Sequence, residues 1–280
     1  MPGVLYIIAT PIGNLEDITV RALRVLKEVD LNACEDTRHT RKLLARYQIS
    51  KPTVSYHEHN EHGRAAELVD KITTGLSVAL VSDAGTPLIS DPGLHIVSEA
   101  IKRQIPVVPV PGPSALITAL AASGLPTAEF AFIGFLPSRG AARRARLKEL
   151  ADVKSTLIFY EAPHRIKATI EDARQALGNR ECVIARELTK LHEEFVRGRL
   201  SEIVVPEGSA RGEIVLLVGP PLEGSAKGAG REIRSILEEV KRLMKAEGLD
   251  QKSALKRVAR EGGINKREAY KLMISERVKE

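Results

Sequence analysis

The sequence contains no tryptophan, and aromatic residues make up only 4% of its 280 residues. Proteins that read single-stranded bases by stacking use more aromatic side chains than this. If the partner is a nucleic acid, we therefore expect its backbone and shape to matter more than base stacking. Hydrophobic residues at 43% and charged residues at 28% still predict a folded globular chain.

Cysteine and long apolar runs are scarce as well. The two cysteines, Cys34 and Cys182, lie far apart and cannot build a framework of disulfides or of zinc ligands. No apolar run approaches the ~20 residues that span a bilayer, and the N-terminal MPGVLYIIATPIG lacks a basic leader and is too short in its apolar part for a signal peptide. We expect a cytoplasmic protein without a membrane partner.

Glycine-rich nucleotide motifs are missing too. Residues 8–15 (IATPIGNL) occupy the position of such a loop but contain only Gly13, and neither GxGxxG nor GxxxxGK[ST] occurs. An NAD-type site and a Walker loop therefore have no support.

Strand-like runs alternate with helical patterns along the first four fifths of the chain. Strands are predicted at residues 4–9, 77–81 and 106–110, then, from near Phe130 onward, at 155–160, 181–185 and 213–218. This alternation predicts an α/β fold with an N-terminal domain at residues 1–120 and a second α/β domain at 121–222. Residues 222–230 have the composition of a linker, and residues 231–280 are predicted to be helical.

The densest motif is VSDAGTPLISDPG at residues 81–93. Ligands of open parallel sheets bind beyond the carboxyl ends of strands, where this turn is expected to lie. An aspartyl-phosphate phosphatase is rejected because Ala84 stands where a second carboxylate is needed; a purely structural turn stays open. In VPVPGPSAL at residues 108–116, Ser114 is predicted to cap a helix whose N-terminus faces a ligand, or simply to lie in a strand-to-helix loop.

Histidines cluster in YHEHNEH, where His57, His59 and His62 raise the question of a metal site. The order of a helical HExxH motif is absent and the string reads as a loop, so no metal is expected. This and three other polar clusters, at residues 35–39, 161–165 and 186–190, follow strands or start helices, which favours one shared cleft.

Positive charge is uneven along the chain, whose net charge is +6. Residues 231–280 hold 14 Lys and Arg against 9 Asp and Glu and read as a helix-turn-helix with Gly262-Gly263 at the turn and Asn265 opening the second helix. A helical hairpin that packs on the protein is the alternative. The basic run at residues 139–148 is either a solvated helix face or a strip that contacts phosphates.

Taken in order, these strings resemble one family. TPIGNLEDIT, CEDTRHTRKLL, SYHEHNE, SDAGTPLISDPG, VPGPSALITALAASGLP, FYEAPHR and ARELTKLHEE are similar to the pattern of the ribosomal RNA small subunit methyltransferase I family, over about residues 3–220. The resemblance implies a two-domain tetrapyrrole-methylase-like fold with parallel or mixed sheets, S-adenosylmethionine in the cleft between the domains, and a homodimer. It also implies a cytidine in the decoding region of 16S ribosomal RNA, free or in the small subunit, as the acceptor of a methyl group on its ribose 2′-oxygen.

The resemblance carries a donor site onto this chain, with residues from both domains: Ile12, Ala84, Gly85, Thr86, Ile89, Ser114, Ala115, Glu161 and Leu188. The first loop (TPIGN) and Thr86 depart from the superfamily's glycine-rich loop and aspartate. Both departures weaken a tetrapyrrole acceptor and suit the ribosomal branch.

A base must take the proton of the attacking hydroxyl, because an alcohol is a poor nucleophile. Asp36, His57, Glu161 and Glu187 are the candidates, with none preferred. The residues predicted to hold RNA phosphates are basic: Arg38, Arg139, Arg143, Arg144, Arg165 and Lys190. The alternatives kept open are a tetrapyrrole methyltransferase and a non-catalytic RNA-binding protein.

Overall fold

The computed structural model describes residues 2–205, 212–221, 236–261 and 266–277. It divides into a compact unit, Met1–Pro220, and a smaller one, Pro221–Glu280. The predicted linker at residues 222–230, the Gly262-Gly263 turn and Asn265 lie outside the described residues.

The first half of the larger unit is a parallel sheet in the order β3-β2-β4-β1-β5. Its strands and helices alternate along the chain: β1 Leu5–Ile8, α1 Val20–Glu28, β2 Leu31–Cys34, α2 Thr37–Arg46, β3 Thr53–Ser55, α3 Glu61–Thr73, β4 Val78–Val81, α4 Leu94–Lys102 and β5 Val107–Val110. The central strands are short and buried on both faces, as parallel strands covered by helices must be. Leu5 and Leu80 pack with α3 and α4, whereas Ile8 and Val81 pack with α1 and α2.

The second half is a mixed sheet in the order β6-β7-β10-β8-β9. Its elements are α5 Ala115–Ser123, β6 Phe130–Phe135, α6 Gly140–Glu149, β7 Thr156–Glu161, α7 Ile166–Leu177, β8 Glu181–Arg186, β9 Glu194–Arg199 and β10 Ile214–Val218. Only β6 and β7 pair in parallel among these described strands. Leu116 and Leu120 of α5 join the core of this second sheet, so the boundary predicted at residue 120 falls inside α5.

The predicted α/β class, with parallel and mixed sheets, is confirmed. Strands β2, β3, β6 and β9 are absent from the sequence prediction. The first two are only four and three residues long, and β9 is an edge strand (EFVRGR) whose alternation is broken by arginines and a glycine.

The smaller unit contains three helices within the described residues: α8 Ile236–Glu247, α9 Gln251–Glu261 and α10 Lys266–Arg277. Val240, Leu255 and Met273, one from each helix, share a core of their own. No helix in the described ranges is long and apolar enough to cross a membrane.

Candidate active site

The carboxyl ends of β1, β4 and β5 lie side by side in the first sheet, because these strands are parallel neighbours. The loops that follow them are joined by hydrogen bonds. Thr10 and Gly85 form a bridge with N–O distances of 2.8 and 2.9 Å, and the Thr10 hydroxyl donates to the Ser82 carbonyl at 3.0 Å. Thr86 donates its hydroxyl to the carbonyl of Pro113 at 3.2 Å. The three loops therefore form one connected rim.

The loop after β8, in the second sheet, contacts the loop after β1 from the opposite side. The backbone N–H of Asn14 donates to the hydroxyl of Thr189 at 3.1 Å. A Cβ on Gly13 would lie 2.8 Å from the carbonyl oxygen of Leu188, so only glycine allows the first loop to approach the loop after β8 this closely.

A cavity of about 470 Å³ lies between these loops, within the ~300–1,000 Å³ of small-molecule sites. Eight of the residues predicted to bind the donor line it: Ile12, Ala84, Gly85, Thr86, Ile89, Ser114, Ala115 and Leu188. Ser114 stands at the start of α5 as expected, yet its side chain makes no capping hydrogen bond. The Ser114 hydroxyl is thus not used as a cap, whereas the backbone of Leu116 in the first turn of α5 already hydrogen-bonds to the Tyr160 hydroxyl.

Glu161, the ninth predicted donor residue, is not among the lining residues. Its carboxylate is completely buried and accepts hydrogen bonds from the Thr169 hydroxyl at 2.6 Å and the Ala162 N–H at 2.8 Å. Arg165 Nε lies 3.2 Å from Glu161 Oε1. The structure therefore shows Glu161 holding the end of β7 against α7.

The cavity is strongly acidic. Of the described residues that line it, five are carboxylates and only Lys190 is basic; the acids are Glu35, Asp83, Asp91, Glu187 and Glu213. Sequence reasoning selected only Glu187 from this set, although Asp83 and Asp91 lie inside the motif at residues 81–93. Glu213 carried no signal, because it precedes a strand that runs antiparallel to its neighbours.

Asp91 is the acid most affected by its surroundings. Burial raises its pKa to about 6, and the charges of Glu35, Glu213 and Asp83 act in the same direction. Burial also raises the pKa of Glu35, with Asp83 adding to the shift. In the same lining, burial raises the pKa of the Tyr160 hydroxyl to about 12, so that it stays protonated at neutral pH.

The predicted bases lie in different surroundings. Glu187 lines the cavity and pairs with Lys190 at 2.9 Å. Asp36 does not line it: Arg38 holds both oxygens of Asp36, at 3.1 and 2.8 Å, and keeps the pKa of that carboxyl well below its usual range. His57 is also outside the lining, and its Nε2 lies 3.2 Å from the side-chain nitrogen of Asn60.

The predicted RNA contacts separate into two groups. Arg38, Arg139, Arg144 and Lys190 are exposed. Arg143 is buried in an ion pair with Asp172 at 2.7 Å, which joins α6 to α7, and Arg165 donates to the carbonyls of Leu136 and Pro137. The basic run at residues 139–148 is thus neither a uniform solvated face nor a uniform phosphate strip.

Backbone strain occurs in the loops after β4 and β8, whose residues Ser90 and Glu187 line the cavity. Leu88, Ser90, Glu187 and Thr189 all have positive φ, between 51° and 72°, although none is a glycine. Such residues cost of the order of 1–3 kcal/mol each and collect at functional sites.

The family and the relatives that this chain matches are consistent with a donor site in this cavity. Residues 4–204 match the family model of tetrapyrrole (corrin/porphyrin) methylases. The chain is 49% identical over 273 residues to ribosomal RNA small subunit methyltransferase I of Halalkalibacterium halodurans, covering 96% of this chain and 94% of that protein. It is 54% identical over 220 residues to the enzyme of the same name from Vibrio cholerae, covering 77% and 76%.

Solved structures show the same fold at lower identity. The methyltransferase CobJ matches with a TM-score of 0.58 and 20% identity, over 78% of this chain and 94% of that chain. Uroporphyrin-III C-methyltransferase from Thermus thermophilus, complexed with S-adenosyl homocysteine, matches with a TM-score of 0.53 and 22% identity, over 78% and 97%.

Proposed function

The chain belongs to the tetrapyrrole methylase family, and on that premise we propose that it transfers a methyl group from S-adenosylmethionine to the ribose 2′-oxygen of a cytidine in 16S ribosomal RNA. The observation that carries the proposal is the acidic cavity between the strand-end loops. Two relatives that are 49% and 54% identical to this chain are both named ribosomal RNA small subunit methyltransferase I, which supports the same proposal.

The charge of the cavity suits the donor. S-adenosylmethionine carries a positive sulfonium and a positive ammonium, and five lining carboxylates against one lysine attract both. The Ser114 hydroxyl at the start of α5 can donate to the donor's own carboxylate, and the apolar Ile12, Leu188 and Val215 suit its adenosine. A triphosphate nucleotide would be repelled by the same lining.

Catalysis in this site comes first from positioning the ribose hydroxyl in line with the sulfonium methyl. The methyl carbon bonds to the ribose oxygen as its bond to sulfur breaks, the bonding electrons stay on sulfur, and the donor loses its positive charge.

The hydroxyl proton goes to a base. We assign this base to Asp91, because it lines the cavity and its raised pKa of about 6 makes it a stronger proton acceptor than an ordinary carboxylate. Glu187 is the second candidate, being the one predicted base that also lines the cavity.

The acceptor is a ribosomal RNA rather than a tetrapyrrole. The relatives that are 49% and 54% identical to this chain are named as ribosomal RNA methyltransferases, whereas the solved uroporphyrin-III C-methyltransferase is 22% identical. The basic C-terminal residues and the exposed Arg139 and Arg144 also favour a phosphate backbone. The proposal includes a cytoplasmic homodimer, with the free RNA or the small subunit as the partner.

Donor binding and methyl transfer test the proposal together. Calorimetry should show S-adenosylmethionine binding, and the protein should move a labelled methyl group from it to small ribosomal subunits or their RNA. In cells, one ribose-methylated cytidine should be lost when the protein is deleted. If the protein bound S-adenosylmethionine but ribosomal RNA methylation did not change, the assignment of the acceptor would be wrong and that of the donor would stand. Absence of donor binding would refute the whole proposal.

A further inference from the structure

We propose that Glu61, His62 and His95 form a binding site for a zinc ion that ties the start of α3 to the start of α4. One ligand atom from each of these residues lies within 4.8 Å of the other two. The site is distinct from the donor cavity, which none of the three residues lines.

The geometry is close to what zinc needs. At a Zn–N or Zn–O distance of about 2.0–2.1 Å, two tetrahedral ligand atoms stand about 3.3 Å apart. His95 Nε2 already lies 3.6 Å from Glu61 Oε1, and the rings of His62 and His95 have centroids 3.9 Å apart. The two histidines are exposed, so small side-chain rotations can bring the three ligand atoms to the metal. A water molecule would complete four-coordination, as in sites with three protein ligands.

The backbone beneath the three ligands is rigidly held. Ala65 and Ile96, close in sequence to His62 and His95, are buried in one core with Leu68 and Ile72. The N–H of Ile96 donates to the buried Tyr56 hydroxyl at 3.3 Å, which links α4 to the segment that leads into α3. The backbone that carries the ligands is therefore fixed before a metal arrives, and binding has to order only the ligand side chains.

Charge sets the expected strength of binding. Both helices present their positive N-terminal ends to the cation, and neither is capped by a side chain. The Glu61 carboxylate offsets this, and one carboxylate with two imidazoles is a ligand set that zinc accepts. We expect micromolar affinity rather than the tight binding of buried four-ligand sites.

The spacing of the histidines in the sequence does not reveal this site. His62 stands close to His57 and His59 in the string YHEHNEH, but its partner is His95 on another helix. Leu94 and His95 follow directly after the motif at residues 81–93, so zinc would hold α4 next to the loop that carries Asp91.

Zinc titration of the full chain, after removal of metals by a chelator, tests the proposal. We expect one equivalent of Zn²⁺ to bind and to raise the melting temperature. His62→Ala, His95→Ala and Glu61→Gln should each weaken binding at least about tenfold. His59→Ala is the matched control, because it removes an exposed histidine of the same string and should leave zinc affinity unchanged.

The two thiols do not compete in this experiment, because Cys34 and Cys182 are buried and burial raises the pKa of both. Unchanged binding of S-adenosylmethionine by the three variants, measured without zinc, would show that they are folded. Absence of saturable zinc binding by the wild-type chain, or equal affinity in His95→Ala, would overturn the site whatever the outcome for methyl transfer.

Discussion

Residues of the same chemical type have different roles here because their burial differs. Glu161 and Asp91 are both acids that come at or after the end of a buried strand, yet the former is completely enclosed by Thr169, Ala162 and Arg165, and the latter opens on the cavity. An enclosed carboxylate with all its partners stabilises an element end. Burial, with the charges of neighbouring acids added to it, raises the pKa of Asp91 and favours its taking up a proton.

Asp91→Asn is predicted to lower kcat of methyl transfer by roughly 10²-fold or more, the typical contribution of a general base. In the wild-type enzyme, the rate should rise with pH up to about 6 and level off above it, since the carboxyl must be ionised to act. A pH profile of single-turnover transfer measures both effects.

The same variant is predicted to be more stable than the wild type at pH 8. A carboxyl whose pKa is raised by folding contributes stability below its unfolded pKa and loses it as pH rises through about 6, so removing the charge removes this loss. Asp70→Asn, an equal charge change at an exposed residue paired with Arg103, is the control and should keep full activity. A pH profile that stays flat through 6 in the wild type would contradict the role of Asp91.

Loops that join strands to helices, rather than the strands themselves, build the site. Parallel strands place the loops after β1, β4 and β5 together, and hydrogen bonds between Thr10 and Gly85 and from Thr86 to Pro113 make them one structure. Ser90, in the loop after β4, is one of the strained residues at this site. The strain is tolerated because the surrounding sheets determine the loop path.

Gly13→Ala is predicted to weaken S-adenosylmethionine binding by about tenfold, or about 1.4 kcal/mol. The added Cβ would stand 2.8 Å from the Leu188 carbonyl oxygen and from Lys190 Cγ, so the first loop must move away from the loop after β8. Calorimetric titration of the donor measures the change.

Gly63→Ala serves as the control for this experiment. Gly63 lies in α3, where a Cβ would meet nothing within 4 Å, so alanine should raise stability by up to about 1 kcal/mol through helix propensity and leave donor affinity unchanged. If Gly13→Ala bound the donor as the wild type does, the close approach of the two loops would be irrelevant to binding.

The whole molecule separates into a unit that contains the cavity and a smaller helical unit. The described residues that line the cavity all belong to Met1–Pro220. The three described helices of the smaller unit bury apolar residues of their own and expose Lys252 and Lys256. This arrangement favours donor binding by the larger unit and RNA binding by the smaller one.

Truncation after Pro220 is predicted to preserve donor affinity and to lower RNA affinity, with a weaker dependence on salt. In the full chain, Lys252→Gln with Lys256→Gln should reduce the slope of log affinity against log salt by about 0.7 for each phosphate that the chain no longer neutralises. Filter binding at several salt concentrations measures both effects. Unchanged RNA affinity after truncation would refute a role for the helical unit.

Local patterns were enough to predict the α/β class and the strand-end turns at residues 81–93 and 108–116, because glycines, prolines and strand-like runs are local signals that a parallel sheet brings to one edge. The eight residues that line the cavity came from the resemblance to a known family and not from these signals. Three features emerge from the packing of the elements alone: Arg143 is buried against Asp172, Glu161 is enclosed, and Asp91 is buried among other acids. The contact between the rings of His62 and His95 likewise follows from the packing of α3 and α4. Burial and the distance between charges depend on which elements pack together. A contact between residues far apart in the chain produces no periodic pattern in the sequence.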